Sequence, residues 1–421
     1  MYYYLFKNNL ILSKTSIDKL DYEIITEVQA KNYSGKIYIL HPMKPEVSRR
    51  SFIISNKSMC FLENETLMLL SSLNPEANGN DQIPIWLEEK IKEGVVISVN
   101  PNYPNYEDVF TYSPPEKWNV NVIGLGDVGA TLLTGLKLLG TDFINNLGIY
   151  DLDKNKVTRL KFELSQILSA NGNENSLKIK ILEESELFNC DMFVFCVSVG
   201  VPPIGKEEKD VRLVQFEGNR KVLKHYGKLA RNANFKGVFA VVSDPVDLLC
   251  KSLFEDSNRD DNGNMDYTGL APEQIRGYGL GVMNARAVYY SSLNCETENY
   301  ISEGRAYGPH GEGLIIANSI QNFNEDLTEF LTQKTKNANL EVRSSGFKPY
   351  IAPALSSGTL SLLDTIAGNY HYSSNFLGGT FMGCKNRYIH SCTENELVPI
   401  PDLLMKKLKE TYTLLSKHPN L

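Results

Sequence analysis

Hydrophobic residues follow two regimes along the chain, and the change comes near residues 101–118. Behind that point, short continuous apolar runs alternate with stretches that are apolar at every third or fourth position. The first pattern predicts buried strands and the second predicts helices with one packed face. Asn119–Leu125, Leu147–Tyr150, Lys178–Leu182, Met192–Val197 and Gly237–Val242 read as strands. Asp127–Leu139, Asn155–Leu168 and Leu213–Arg231 read as helices. Apolar strands separated by helices predict a doubly wound parallel sheet covered on both faces, an α/β architecture. Beyond about residue 270 the pattern is mixed, and it closes with a charged amphipathic helix from Asp402 to about Ser416.

The first hundred residues differ. Short β-like runs (Tyr2–Phe6, Lys36–Leu40, Ser51–Ile54) precede two helical stretches, Glu63–Leu73 and Ile85–Lys92. That order predicts a small α+β or winged-helix module. The stretch 101–118 carries prolines, asparagines and tyrosines and reads as a linker. Three parts are therefore expected: residues 1–115 as an accessory domain, 116–268 as a nucleotide-binding domain and 269–421 as a catalytic domain. The segment Phe61–Leu73 also resembles the peptide-clamp domains that hold leader peptides for modification enzymes. The alternative is an extension that packs on the core or mediates oligomerisation.

Composition narrows the partners. Of 421 residues, 42% are hydrophobic and 22% charged, which is ordinary for a globular chain. A net charge of −7 and a pI near 5.6 argue against nucleic acid as a partner, because no broad basic face is available. A small anionic substrate needs only one or two local arginines. No segment approaches the roughly 20 apolar residues that span a bilayer. The seven cysteines form neither CxxC pairs nor clusters with histidine, so no metal site is expected and a reducing, cytoplasmic setting is.

Val122-Ile-Gly124-Leu-Gly126-Asp127-Val128-Gly129 is a G-x-G-x-x-G turn that follows a strand and opens a helix. Gly124 would permit the tight turn, Gly126 the approach of a pyrophosphate, and Gly129 close helix–strand packing. The helix N-terminus would offer free N–H groups to the anion. Asp151, at the end of the next strand, sits where an acid would bind the ribose hydroxyls and repel a 2′-phosphate, which favours NAD over NADP. Asp153 is a second candidate for that role.

Four further landmarks follow in order: Cys196-Val-Ser-Val199-Gly200-Val-Pro with Arg212 and Leu213-Val-Gln-Phe-Glu-Gly-Asn219 after it; Val241-Val-Ser243-Asp244-Pro245-Val246-Asp247; Gly277 to Arg286; and Gly308-Pro309-His310-Gly311. From about Trp118 to the C-terminus the chain thus resembles the lactate/malate dehydrogenase family. The resemblance implies an NAD-dependent oxidoreductase acting on a small carboxylate substrate, a 2-hydroxy or 2-keto acid, and a homo-oligomer. By position, Arg212 is the mobile-loop arginine that polarises the substrate carbonyl. Arg286 is the arginine that grips the carboxylate, and His310 is the general acid/base. Val199, Gly200, Asn219 and Ser243 are expected beside the cofactor, with Asp127 and Val128 at the glycine turn. Ser357-Gly358-Thr359 matches the family's pocket threonine region.

Two positions depart from the family. Asp244 stands where the resemblance places an asparagine that donates to the substrate oxygen, and an ionised carboxylate cannot donate. Met283 stands where an aspartate orients the histidine. Asp244 and Glu312 are the nearest substitutes, and Asp244 would accept a hydrogen bond either from His310 or from a nitrogen on an imine substrate. The arginine that would serve a second substrate carboxylate is absent, with Pro203 in about its place, which disfavours malate. Two rival readings remain: a reductase that tailors a peptide held by the front domain, and a non-catalytic NAD-binding regulator.

Overall fold

The computed structural model describes residues 1–73, 83–168, 177–199 and 211–417, with the side chains of 211–214 excepted. The front segment comprises β1 (Tyr2–Phe6), β2 (Asn9–Ser13), β3 (Glu23–Ile24), α1 (Glu27–Lys31), β4 (Ile37–Leu40), β5 (Ser51–Ile53), α2 (Ile85–Lys92), β6 (Val96–Val99) and α3 (Asp108–Thr111). Strands β2, β4 and β6 pair in parallel, flanked by antiparallel β1 and β5. The winged-helix expectation is therefore replaced by a small sheet with parallel strands at its centre. The expected helix over Glu63–Leu73 is also corrected, because only a 3₁₀ turn forms there, at Leu67–Leu70. The cause is visible at Glu65. This residue is buried, and its two carboxylate oxygens take the Arg49 backbone N–H at 2.8 Å and Nε at 2.9 Å. Leu67, Leu69 and Leu70 are buried just after it, so the segment is held against the core by Glu65 and these three leucines together. It therefore offers no exposed helix of the kind a peptide clamp would need.

The second part is built from β7 (Trp118–Ile123), α4 (Asp127–Leu139), β8 (Ile144–Tyr150), α5 (Lys154–Ser165), β9 (Lys178–Ile181), β10 (Met192–Phe195), α6 (Val211–Asn232), β11 (Val238–Val241), α7 (Val246–Ser257) and β12 (Ile275–Gly277). The strands pair in parallel in the order β9-β8-β7-β10-β11-β12, the doubly wound dinucleotide-binding arrangement. Every residue of β10 and β11 is buried, which is why these segments read as unbroken apolar runs. Strand β8 starts earlier than its apolar run because polar Asn146 joins the ladder opposite Asn119, donating to its Oδ1 at 3.0 Å.

The third part holds α8 (Leu280–Ser291), α9 (Tyr300–Glu303), β13 (Arg305–Tyr307), β14 (Ile315–Ala317), α10 (Glu325–Ser344), a π-helical stretch Pro353–Leu360, α11 (Ser361–Ala367), β15 (His371–Leu377), β16 (Thr380–Ile389), β17 (Cys392–Asn395) and α12 (Asp402–Ser416). The meander β15-β16-β17 joins β12 at one side and β5 at the other. One continuous sheet thus runs through all three parts among the described residues. Arg50 and Ser51 reinforce the junction by donating to buried Glu273 at 2.8 and 3.0 Å. No helix among the described residues is long and apolar enough to cross a membrane.

Candidate active site

The first half of the site lies at the carboxyl ends of β7, β8 and β10. Gly124 has φ +84°, and a Cβ there would meet the Val197 nitrogen at 2.5 Å. A Cβ at Gly129 would meet the Gly124 carbonyl oxygen at 2.1 Å. These two glycines let helix α4 press on the turn. Gly126 is different, because nothing lies within 4 Å of its would-be Cβ. It caps α4 without any side-chain hydrogen bond, so the helix presents free N–H groups to open space. Asp151 accepts the Leu125 N–H at 2.7 Å and the Asp153 N–H at 2.9 Å, which fixes its carboxylate beside the turn. Asp153 instead caps α5. A cavity of about 450 Å³ opens here, lined by Gly124, Gly126, Asp127, Val128, Asp151 and Tyr350, among others. Lys348 reaches the same rim and pairs with Asp127 at 3.2 Å.

The second half lies beyond β11. Asn219 is fully buried. Its Oδ1 accepts the Val199 N–H at 2.7 Å and its Nδ2 donates to the Asp244 carbonyl at 2.7 Å. Ser243 Oγ donates to the Val197 carbonyl. Together they lock the ends of β10 and β11 and so fix where Asp244 stands. His310 arrives from a loop in which Gly308, Gly311 and Gly313 all have positive φ. Its Nδ1 lies 3.2 Å from Asp244 Oδ1. Burial pushes the imidazole pKa down, but the charge and hydrogen bond of Asp244 outweigh it, and the net shift is upward. Asp247, in the first turn of α7, is buried, takes a 2.7 Å hydrogen bond from Ser374 Oγ and is pushed up to about 7, chiefly by burial.

Arg286 projects from α8. Its guanidinium donates to Asn339 Oδ1 at 2.5 Å and to Met283 Sδ at 3.5 Å, both neutral. Among the described residues it makes no ion pair. Burial lowers its pKa, and the charge of Asp244 opposes that shift. Asp244, His310 and Arg286 therefore form one electrostatically coupled group.

Residues 118–266 match the family model described as lactate/malate dehydrogenase, NAD binding domain. That segment, roughly a third of the chain, is similar to the NAD-binding domain of lactate and malate dehydrogenases. The chain is 25% identical over 198 residues to an L-lactate dehydrogenase of Mycoplasma genitalium, a match covering 47% of this chain and 57% of that one. It is 25% identical over 194 residues to L-lactate dehydrogenase 2 of Staphylococcus aureus, covering 46% and 54%. The chain thus spans just over half the length of these relatives. In three dimensions it is similar to the minor L-lactate dehydrogenase of Enterococcus mundtii (TM-score 0.59, 18% identity, 73% of this chain and 100% of that one). It is also similar to the malate dehydrogenase of Picrophilus torridus (TM-score 0.56, 16% identity, 71% and 95%). At these identities the likeness is one of fold.

The family's cofactor, NAD, fits the residues present. The uncapped α4 N-terminus and the open space over Gly126 suit a pyrophosphate, and the fixed Asp151 carboxylate suits ribose hydroxyls. Of the residues expected at the site, Gly200, Pro203 and the charged loop through Asp210 lie outside the described residues. So does the side chain of Arg212, whose backbone starts α6. Glu312 is exposed, and of the two candidate acids Asp244 is the one within 3.2 Å of His310. The expectation for Ser357-Gly358-Thr359 is corrected. Ser357 accepts the Val282 N–H and Thr359 donates to the Leu132 carbonyl, so both are buried packing groups. Sequence reading missed Asn339, Lys348 and Tyr350, and gave Asp247 no role beyond ending the Asp-Pro-Val-Asp run. Asp247 alone carried a signal, as a carboxylate inside an apolar helix start.

Proposed function

We propose that this chain is an NAD-dependent oxidoreductase interconverting a small 2-hydroxy acid and its 2-keto acid. When bound, NAD supplies the hydride acceptor or donor. Gly124, Gly126 and Gly129 with the α4 N-terminus would hold its phosphates, and Asp151 its adenine ribose. In this reading residues 1–115 are accessory, 116–268 bind the cofactor and 269–421 act on substrate.

The observation that carries this reading is the 3.2 Å contact between His310 Nδ1 and Asp244 Oδ1. A carboxylate at Nδ1 fixes the tautomer with the proton there, which leaves Nε2 to give or take the substrate-oxygen proton. The task the family assigns to an aspartate at Met283 passes to Asp244. The exchange has a consequence: the amide donor that would meet the substrate oxygen is gone, so His310 and Arg212 carry that oxygen between them. Arg286, a half-buried cation whose hydrogen-bond partners among the described residues are neutral, supplies the complement for one carboxylate. The engagement of Asp244 by His310 supports an oxygen-bearing substrate over an imine, whose nitrogen would need that carboxylate for itself.

The test is NADH-dependent reduction of a panel of 2-keto acids graded in side-chain size, with His310→Asn beside the parent chain. Turnover of at least one acid is expected, with a loss of about 10³-fold or more in the variant and unchanged NADH affinity. NADH binding with no turnover of any acid, and no effect of His310→Asn, would favour the regulatory reading.

A further inference from the structure

We propose that Asn339 is a positioning residue that aims the Arg286 guanidinium at the substrate without adding a charge of its own, so that the site selects a monoanionic carboxylate over its neutral analogue. This rests on the reading of Arg286 as the carboxylate anchor. Three observations lead to it. Arg286 is half-buried on α8, and one of its terminal nitrogens is held at 2.5 Å by the Asn339 carboxamide oxygen from the facing helix α10. The other contact, Met283 Sδ at 3.5 Å, is one turn back on α8 and also neutral. Arg49, Arg50, Arg220 and Arg305, buried or part-buried, meet carboxylates (Glu65, Glu273, Asp256 and Glu396), whereas Arg276 is held by neutral Thr393, Ser373 and Asn386 but is wholly enclosed, so Arg286 differs in joining neutral hydrogen-bond partners with partial exposure.

The choice of groups matters physically. A desolvated guanidinium is costly to leave without an anion, and a carboxylate on α10 would satisfy it permanently. An incoming substrate would then have to compete with that internal partner. A carboxamide offers one acceptor, which fixes the fork's rotation, and it carries no charge to screen the ligand. Met283 serves the same end. The family's aspartate at that position would lie three residues from Arg286 on the same helix face, and here a thioether replaces it. The consequence is a site tuned to a single carboxylate delivered by the substrate.

The experiment uses the full chain with saturating NADH, and calorimetric binding of oxamate and of its neutral counterpart oxamide. The parent chain is expected to bind oxamate well above oxamide. Asn339→Asp is expected to weaken oxamate by at least about tenfold by neutralising Arg286, with oxamide and NADH affinities unchanged. Asn339→Ser, which removes the reach but adds no charge, is expected to fall between the two. NADH affinity reports that each variant is folded. A parent chain that prefers oxamate while Asn339→Asp retains full affinity would overturn the role of Asn339 and leave Arg286 standing. A parent chain that does not distinguish oxamate from oxamide would overturn the Arg286 anchor, and this proposal with it.

Discussion

His310 Nδ1 and Asp244 Oδ1 stand 3.2 Å apart although 66 residues separate them in the chain. The contact restores a carboxylate–imidazole pair in a site whose sequence had lost the usual one. On the proposed reading, the departures at Asp244 and Met283 are a single exchange, in which the acid moves from helix α8 to the segment after β11.

The exchange predicts a rescue. Asp244→Asn should lower kcat/KM for the preferred keto acid by about 10² to 10⁴-fold, because the histidine loses the group that fixes its tautomer. Adding Met283→Asp should recover part of that loss by returning an acid to α8. Steady-state kinetics of the single and double variants decide it. Activity in Asp244→Asn equal to the parent would remove Asp244 from the orienting role.

The pair also sets a pH dependence. Asp244 holds the imidazole above its ordinary value, so the protonated form needed for reduction persists to higher pH. The falling limb of kcat/KM for reduction should therefore move to lower pH in Asp244→Asn. Stability follows the same sign. A raised histidine pKa contributes stability that is complete below the unfolded value of about 6.5 and is lost as pH rises through the folded value. The melting-temperature gap between parent and variant should be wider at about pH 6 than at about pH 9.

Asp247 shares the sign, with stability falling as pH rises, but the cause is a cost of ionisation rather than a gained partner. Its carboxyl is pushed up to about 7 by burial, so ionisation costs the folded state free energy above the ordinary carboxylate range. Asp247→Asn keeps an acceptor for Ser374 Oγ and removes that cost. It should raise stability at pH 8 by on the order of 2 kcal/mol and by little at pH 4. Chemical denaturation at both values checks this. Equal stability at pH 8 would mean that the carboxylate is better compensated than its surroundings indicate.

The glycine turn separates folding from binding. Gly126→Ala has open space for its methyl group, so it should keep the melting temperature while weakening NADH by about tenfold or more, since the methyl enters the phosphate's path. Gly129→Ala would drive a methyl into the Gly124 carbonyl and should lower the melting temperature itself. Differential scanning fluorimetry and NADH titration of both variants give the contrast.

The parts legible in sequence were those encoded locally. The strand–glycine–helix turn at Gly124–Gly129, the amphipathic helices α2, α4 and α12, and the glycine-flanked His310 all declare themselves within a dozen residues. What failed to show depends on partners far along the chain. Leu67–Leu70 looked like helix because its apolar residues cluster, but Arg49 draws Glu65 inside and the turn cannot continue. The front strands read as a separate unit, yet β5 meets β17 through one parallel contact, Phe52 with Thr393, and no local pattern announces it. Asn339 sits in a polar surface helix and looks like any solvated asparagine until Arg286 is seen against it.

Hydride transfer to a keto acid is the step on which every residue role above depends. The direct measurement is incubation of the parent chain with NADH carrying deuterium at the transferable C4 position and with each 2-keto acid of the panel, followed by mass spectrometry of the hydroxy acid formed. Deuterium at C2 of at least one product, absent with His310→Asn, is the result expected. NADH that binds but leaves every acid unlabelled and unreduced would contradict it.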